Sequence, residues 1–266
     1  MDPALGVAIG FGVFAASHVG LATPAIRGPL VRRLGPWGFA LLFSCVAAVT
    51  FGAAVSFYSL HAGEGPAGPG LGRFEVARAL LVTAVVLGVV LMTASLAEYE
   101  ASPFSMRGAD VHEPRGLQRV TRHVFFVGTA LLGGAHALLA TRLTGAIAMG
   151  ALALLAVFGA RHQDRKLLAL RGQPYAEYLA STSTLPFAAA LAGRTRVVWR
   201  ELPLGGLILG LVVAVALRAV HAHVFDYGGA FVIVPTVGGA FSILISEWRS
   251  ELQRARRNAA RTAAHA

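Results

Sequence analysis

Charge is scarce in this chain, and negative charge scarcest: charged residues make up 14%, with 13 Asp and Glu against 23 Lys and Arg in 266 residues. Soluble domains carry about 25%. With 56% hydrophobic residues and a mean hydropathy of +0.65, the composition is that of a polytopic membrane protein. A single cysteine, Cys45, excludes an intrachain disulfide, and its place within an apolar run predicts a small buried hydrophobe. HExxH, CxxC and any tight cluster of three ligands are missing, which argues against zinc. The apolar runs carry no chain of Asp or Glu that would relay protons. The start, MDPALGVAIG, lacks a basic leader and a small-residue cleavage site, so the first run is expected to be retained as a helix. The net charge of +10 lies in short clusters beside apolar runs and not on one soluble face. The expected partner is therefore the lipid bilayer and not nucleic acid.

About seven apolar segments are present, near residues 3–26, 37–60, 74–97, 120–141, 143–160, 204–220 and 228–245. The short Thr141-Arg142 connection predicts an antiparallel hairpin between the fourth and fifth. Positive charge follows the first segment (Arg27, Arg32, Arg33) and precedes the fourth (Arg107, Arg115, Arg119, Arg122). It also fills the link from fifth to sixth and makes the tail (Arg249, Arg254, Arg256, Arg257, Arg261). The alternate loops carry little. The reading is an all-α transmembrane bundle with its amino terminus outside and its carboxyl terminus cytoplasmic.

The Gly- and Pro-rich residues 62–72 read as a flexible outer connector without chemistry of their own. Residues 164–196 interleave Tyr175, Tyr178, Leu185 and Phe187 with polar residues, which predicts a cytoplasmic interfacial floor with its tyrosines at headgroup level. The glycine pairs Gly6/Gly10 and Gly206/Gly210 predict close helix packing. The tail from Glu247 is expected to continue the last span as a helix.

Nine histidines are present, and their placement is more informative than their number. His18 and His136 lie inside apolar segments, where an ionisable side chain is expensive and marks a functional candidate. His123 precedes His136 by 13 residues, roughly 20 Å of helix, so the two cannot meet one central atom. His61, His112, His162, His221, His223 and His265 read as interfacial or solvated. Two intramembrane histidines on different helices, each among glycine and alanine, suit axial ligation of a haem. The segment boundaries place them about 10 Å apart in depth, which tilt could absorb.

Taken in order, RVTRH (residues 119–123), GGAH (133–136), FGARHQDRKL (158–167) and TSTLPFAAALAGR (182–194) resemble the NnrU family of bacterial membrane proteins. The pattern is also similar to the related zeta-carotene isomerase. It covers about residues 12–225, so residues 1–225 read as the family's transmembrane domain and residues 226–266 as an added helix with a basic tail. The resemblance implies a haem b protein of the bacterial inner membrane, with His18 and His136 as its metal ligands and His61 as a loose match to a third family histidine. It implies redox-dependent cis–trans isomerisation of an apolar substrate such as a carotenoid, or a role in nitric oxide and denitrification metabolism, with an electron donor left open. The chain departs from the pattern in two places. Val124 replaces the proline of Arg-His-Pro, which leaves the helix start at His123 less sharply set, and Gly133 stands where the isomerase has a cysteine.

Arg122, His123 and Arg165 are cofactor-binding candidates at the inner rim, where cations pair with propionates or with a nucleotide-like group. Asp164 is expected to pair with its neighbour Arg165. Gly172, Tyr175, Tyr178 and Pro186 also resemble the ending of S-adenosylmethionine-dependent membrane methyltransferases related to isoprenylcysteine carboxyl methyltransferase. That family's paired glutamates are replaced here by residues 162–166, HQDRK. Haem-dependent isomerase, methyltransferase and non-catalytic haem accessory protein stand as the three expectations.

Overall fold

The computed structural model describes residues 2–97 and 111–264, without the side chains of Ala97 and of residues 254–264. Arg107 and His265 lie outside the described residues, as do the side chains of Arg254, Arg256, Arg257 and Arg261.

The chain folds into helices α1 Pro3–Ala22, α2 Pro24–His61, α3 Glu75–Ala97, α4 Val124–Leu139 and α5 Leu143–Arg171. These are followed by α6 Gln173–Ser181, α7 Ala188–Leu191, α8 Leu204–Ala219 and α9 Asp226–Ala264. No strand occurs among the described residues. Five helices (α1, α2, α3, α5 and α9) are long and apolar enough to cross a membrane, while α4 and α8 are shorter apolar helices. These apolar helices mark an integral membrane protein.

Local chemistry sets the ends. The Asp2 carboxylate accepts from the Leu5 amide at 2.8 Å and Pro3 opens α1, a sound amino-terminal cap. The first helix stops at Ala22, short of the expected residue 26, because Thr23 precedes Pro24 and takes an extended backbone. Inside α2, Gly35 sits at φ 73° before Pro36 and breaks the helix into a short basic segment and a long apolar one. The helix α4 starts at Val124, directly after His123. At 29 residues α5 is roughly 43 Å long, more than the ~30 Å hydrocarbon layer. Its apolar part is residues 143–160, and the remainder carries Arg161, Asp164, Arg165, Lys166 and Arg171.

The helices pack as an arc in the order α8, α3, α4, α5, α1, α2, α9. Small residues set each contact. A Cβ on Gly10 would lie 3.4 Å from Ala54 of α2, and one on Gly210 would lie 2.7 Å from the Val90 backbone of α3, so both glycine pairs act in packing. Gly88 of α3 and Gly128 of α4 face each other so closely that a Cβ on either would reach the other's carbonyl oxygen at 2.7–2.8 Å. Gly133 faces Met149 and Ala153 while Gly159 faces Phe126, so α4 and α5 form the expected antiparallel hairpin. Ser59 donates to the Phe225 carbonyl at 2.9 Å and Trp37 to Glu251 at 2.8 Å, so α9 runs antiparallel along the long apolar segment of α2 that follows Gly35.

Two expectations are corrected. Residues 62–72 are a docked loop and not a free connector. Gly68 and Gly70 donate to the carbonyls of Thr141 and Ala140 at 2.9 Å, and Leu143 donates to Pro66 at 2.9 Å. A Cβ on Gly68 would lie 2.5 Å from the Ala140 oxygen, which is why glycine stands there. Cys45 is exposed and not buried.

Candidate functional site

The bundle has a basic end, carrying Arg27, Arg122 and Arg161, and a far end, carrying the start of α1 and the α4–α5 turn. Each end gathers polar side chains.

At the basic end, residues 182–187 fold back beneath the start of α4. Arg122 donates its amide to Ser183 at 2.9 Å, Phe187 donates to Val120 at 2.8 Å, and the Thr121 hydroxyl donates to Thr184 at 2.7 Å. Gly172, at φ 58°, turns the chain from α5 into α6, which brings the tyrosines inward. Tyr175 and Tyr178 are buried and stack with ring centroids 5.7 Å apart. Both are turned inward, unlike headgroup anchors: the Tyr178 hydroxyl is buried without a hydrogen-bond partner among the described residues, whereas the Tyr175 hydroxyl has a polar partner inside the protein.

That partner is Asp164. Its carboxylate accepts from Arg122 Nη2 at 2.8 Å and Nε at 3.1 Å, from His123 Nε2 at 2.8 Å and from the Tyr175 hydroxyl at 2.8 Å. Asp164 therefore pairs with Arg122 and His123 and not with the neighbouring Arg165, which is exposed and lies outside the network. Burial raises the Asp164 carboxyl, but the His123 and Arg122 hydrogen bonds outweigh it and hold the group at about 2. Burial, reinforced by the Asp164 charge, raises Tyr175, so the phenol stays a donor. A second tie joins Glu201 to Arg119 at 2.9 Å and to the Gly116 amide at 3.1 Å. The Arg119 hydrogen bond, with that amide, holds the Glu201 carboxyl low.

At the far end, the connection 220–225 leads from α8 at one edge of the arc to α9 at the other. It begins on His136 and ends on α2. His221 lies against His136 with ring centroids 6.0 Å apart and planes 9° from parallel. Phe225 meets Tyr58 edge-on at 4.9 Å. His136 Nδ1 is 2.9 Å from the Leu132 carbonyl, which makes it the donor there and leaves Nε2 as the nitrogen available to a metal. His61 repeats the pattern with the Phe57 carbonyl at 2.9 Å. His223 is taken by Asp226 at 2.8 Å.

His18 lies elsewhere. Its ring sits between Phe14 and Phe43, and its buried Nδ1 has no hydrogen-bond partner among the described residues. Gly10 faces Ala54 and Thr144 meets the Ala62 carbonyl, so Ala148 lies near the level of Val7, with which it shares an apolar cluster. His18 stands eleven residues beyond Val7 toward the basic end, and His136 is close to the level of Ala148, which gives a depth difference of roughly 16 Å. The packing does not bring these two rings together, since α5 packs against both α1 and α4. It brings His136 to His221, a residue that reads from sequence as an ordinary interfacial histidine. Its signals in the sequence are its place just past the end of the sixth segment and its fit there to the family pattern. Among the described residues, no group of three or more His, Cys, Asp or Glu could hold a bare metal ion.

The motifs named in the sequence thus fall at two structured ends joined by α4 and α5, and residues 7–228 match the family described as NnrU protein. The chain belongs to the NnrU family. The match takes in both ends of the bundle and stops at the start of α9, most of which extends beyond it. No match was found among curated proteins or among solved structures.

Proposed function

We propose that this NnrU protein is a haem b protein of the bacterial inner membrane. In this reading it has seven spans, the basic end faces the cytoplasm and the far end faces outward, in keeping with the positive-inside rule. The observation that carries the haem assignment is His136: an imidazole within an apolar helix, with Nδ1 bonded to the Leu132 carbonyl and the Nε2 lone pair left for a metal. This is how metal-bound histidines are held, the second nitrogen fixing tautomer and ring orientation. Haem would supply an iron whose ligand affinity changes with its redox state. The chain's own part is to hold that group among apolar helices and to admit an apolar substrate from the bilayer. Cis–trans isomerisation of such a substrate is the catalytic form of the proposal, and a haem-dependent accessory role in nitric oxide metabolism the non-catalytic one.

At the basic end Arg122 Nε and Nη2 and His123 Nε2 are engaged by Asp164, and the paired glutamates of the methyltransferases are replaced by residues 162–166, HQDRK, which favours the haem reading. Arg165 is the exposed cation of the three cofactor candidates.

The test is the visible spectrum of detergent-purified protein supplied with haem, oxidised and dithionite-reduced. Sharp reduced bands altered by His136→Ala are expected. Failure to take up haem would overturn the proposal, and binding of labelled S-adenosylmethionine by the same preparation would put methyl transfer in its place. Turnover of a cis-carotenoid by the reduced protein separates the isomerase from the accessory protein.

A further inference from the structure

Resting on the haem reading, we propose that the ligand opposite His136 is His221 and not His18, so that iron sits at the far mouth of the bundle under the 220–225 connection. Two imidazoles bound through nitrogen to one metal at about 2.0 Å place their ring centroids about 6 Å apart. The observed pair stands at 6.0 Å with planes 9° from parallel. His136 is already oriented by the Leu132 carbonyl. The His221 ring has no hydrogen bond among the described residues, whereas its neighbour His223 is held by Asp226. Two histidines are too few donors for a bare ion, and no third His, Cys, Asp or Glu among the described residues joins them. A tetrapyrrole brings four nitrogens of its own and needs only two from the protein. His18 would have to cross roughly 16 Å of depth, about three helical turns, to reach the same atom.

The location also assigns the two ligands different mobility. His136 is built into α4 and only partly exposed. His221 opens a single exposed turn, His221–His223, between α8 and α9. An added ligand would displace His221 first, leaving the helices in place.

An offset aromatic stack gives a similar ring separation, so ligand substitution discriminates. Full-length protein reconstituted with haem b would be examined by absorption and by ferric electron paramagnetic resonance, for wild type, His221→Ala, His221→Met, His136→Ala and His18→Ala. The expected result is a low-spin six-coordinate wild type that His221→Ala converts to high spin. Added imidazole should restore low spin, His221→Met should give a histidine–methionine spectrum, and His18→Ala should leave the spectrum unchanged. If His221→Ala fails to fold, His221→Met carries the test. A wild-type spectrum in both His221 variants, with high spin in His18→Ala, would overturn the inference while leaving the haem reading intact. A high-spin five-coordinate wild type would also overturn it. A wild type that binds no haem would remove the parent proposal as well.

Discussion

Replacing Asp164 by alanine removes one carboxylate and strands three donor side chains. Arg122 loses a pair of hydrogen bonds at 2.8 and 3.1 Å, His123 loses one at 2.8 Å and Tyr175 loses one at 2.8 Å. The Arg122 and Asp164 side chains are only 14% and 15% exposed, and His123 is 0% exposed, so water cannot replace the lost partner without opening the floor. Breaking a buried pair by removing one member costs about 3–5 kcal/mol, most of it the uncompensated charge left behind. Asp164→Asn keeps the size and one acceptor oxygen, and should cost about half as much. Tyr175→Phe deletes a single hydroxyl and should cost about 1 kcal/mol. The assay is pulse proteolysis and amide hydrogen exchange in detergent, read at α6 and residues 182–187. Exchange should be slowest in Tyr175→Phe, faster in Asp164→Asn and fastest in Asp164→Ala. Equal protection in Asp164→Ala and wild type would refute the argument that this carboxylate holds the floor. The same carboxyl gives a pH dependence. Its folded value of about 2 lies below the ordinary 3.8, so its contribution, about 2 kcal/mol, is present above pH 4 and lost as pH falls toward 2. Protection of α6 in wild type should follow that window, and in Asp164→Asn it should not.

Three further outcomes are expected. Gly128→Ala drives a methyl group toward the Gly88 carbonyl and should lower thermal stability by about 1–3 kcal/mol; an unchanged Tm would contradict the close approach of α3 and α4. Gly68→Ala should release residues 62–72 from the α4–α5 turn and expose them to protease, leaving helix content measured by circular dichroism unaltered. Trp37→Phe removes the exposed bond to Glu251, so faster exchange near residues 245–253 should come with a stability change under ~1 kcal/mol.

Length and hydropathy made the helices legible, and the two-residue link at Thr141 and Arg142 made the α4–α5 hairpin so. Local rules also foresaw the close glycine contacts at Gly10 and Gly210. Interactions set by tertiary approach were not legible. Arg122 and His123 were visible as a basic cluster, but their partner Asp164 lies some forty residues on, and sequence adjacency favoured Arg165 instead. Composition marked residues 62–72 as glycine-rich without telling a free loop from one whose amides must approach another backbone. Tyr175 of α6 followed the same limit: a headgroup anchor and a buried phenol on a carboxylate have the same local pattern. His221 gave a weak signal because its partner belongs to a helix more than eighty residues earlier.

The docked loop has a consequence for how the protein is made. Residues 66–70 leave the ribosome long before Ala140, Thr141 and Leu143, the groups that hold them. A nascent chain arrested before residue 139 therefore presents this loop with nothing to bind. Its closure requires the α4–α5 turn, which makes protection of residues 62–72 a readout of when that hairpin forms.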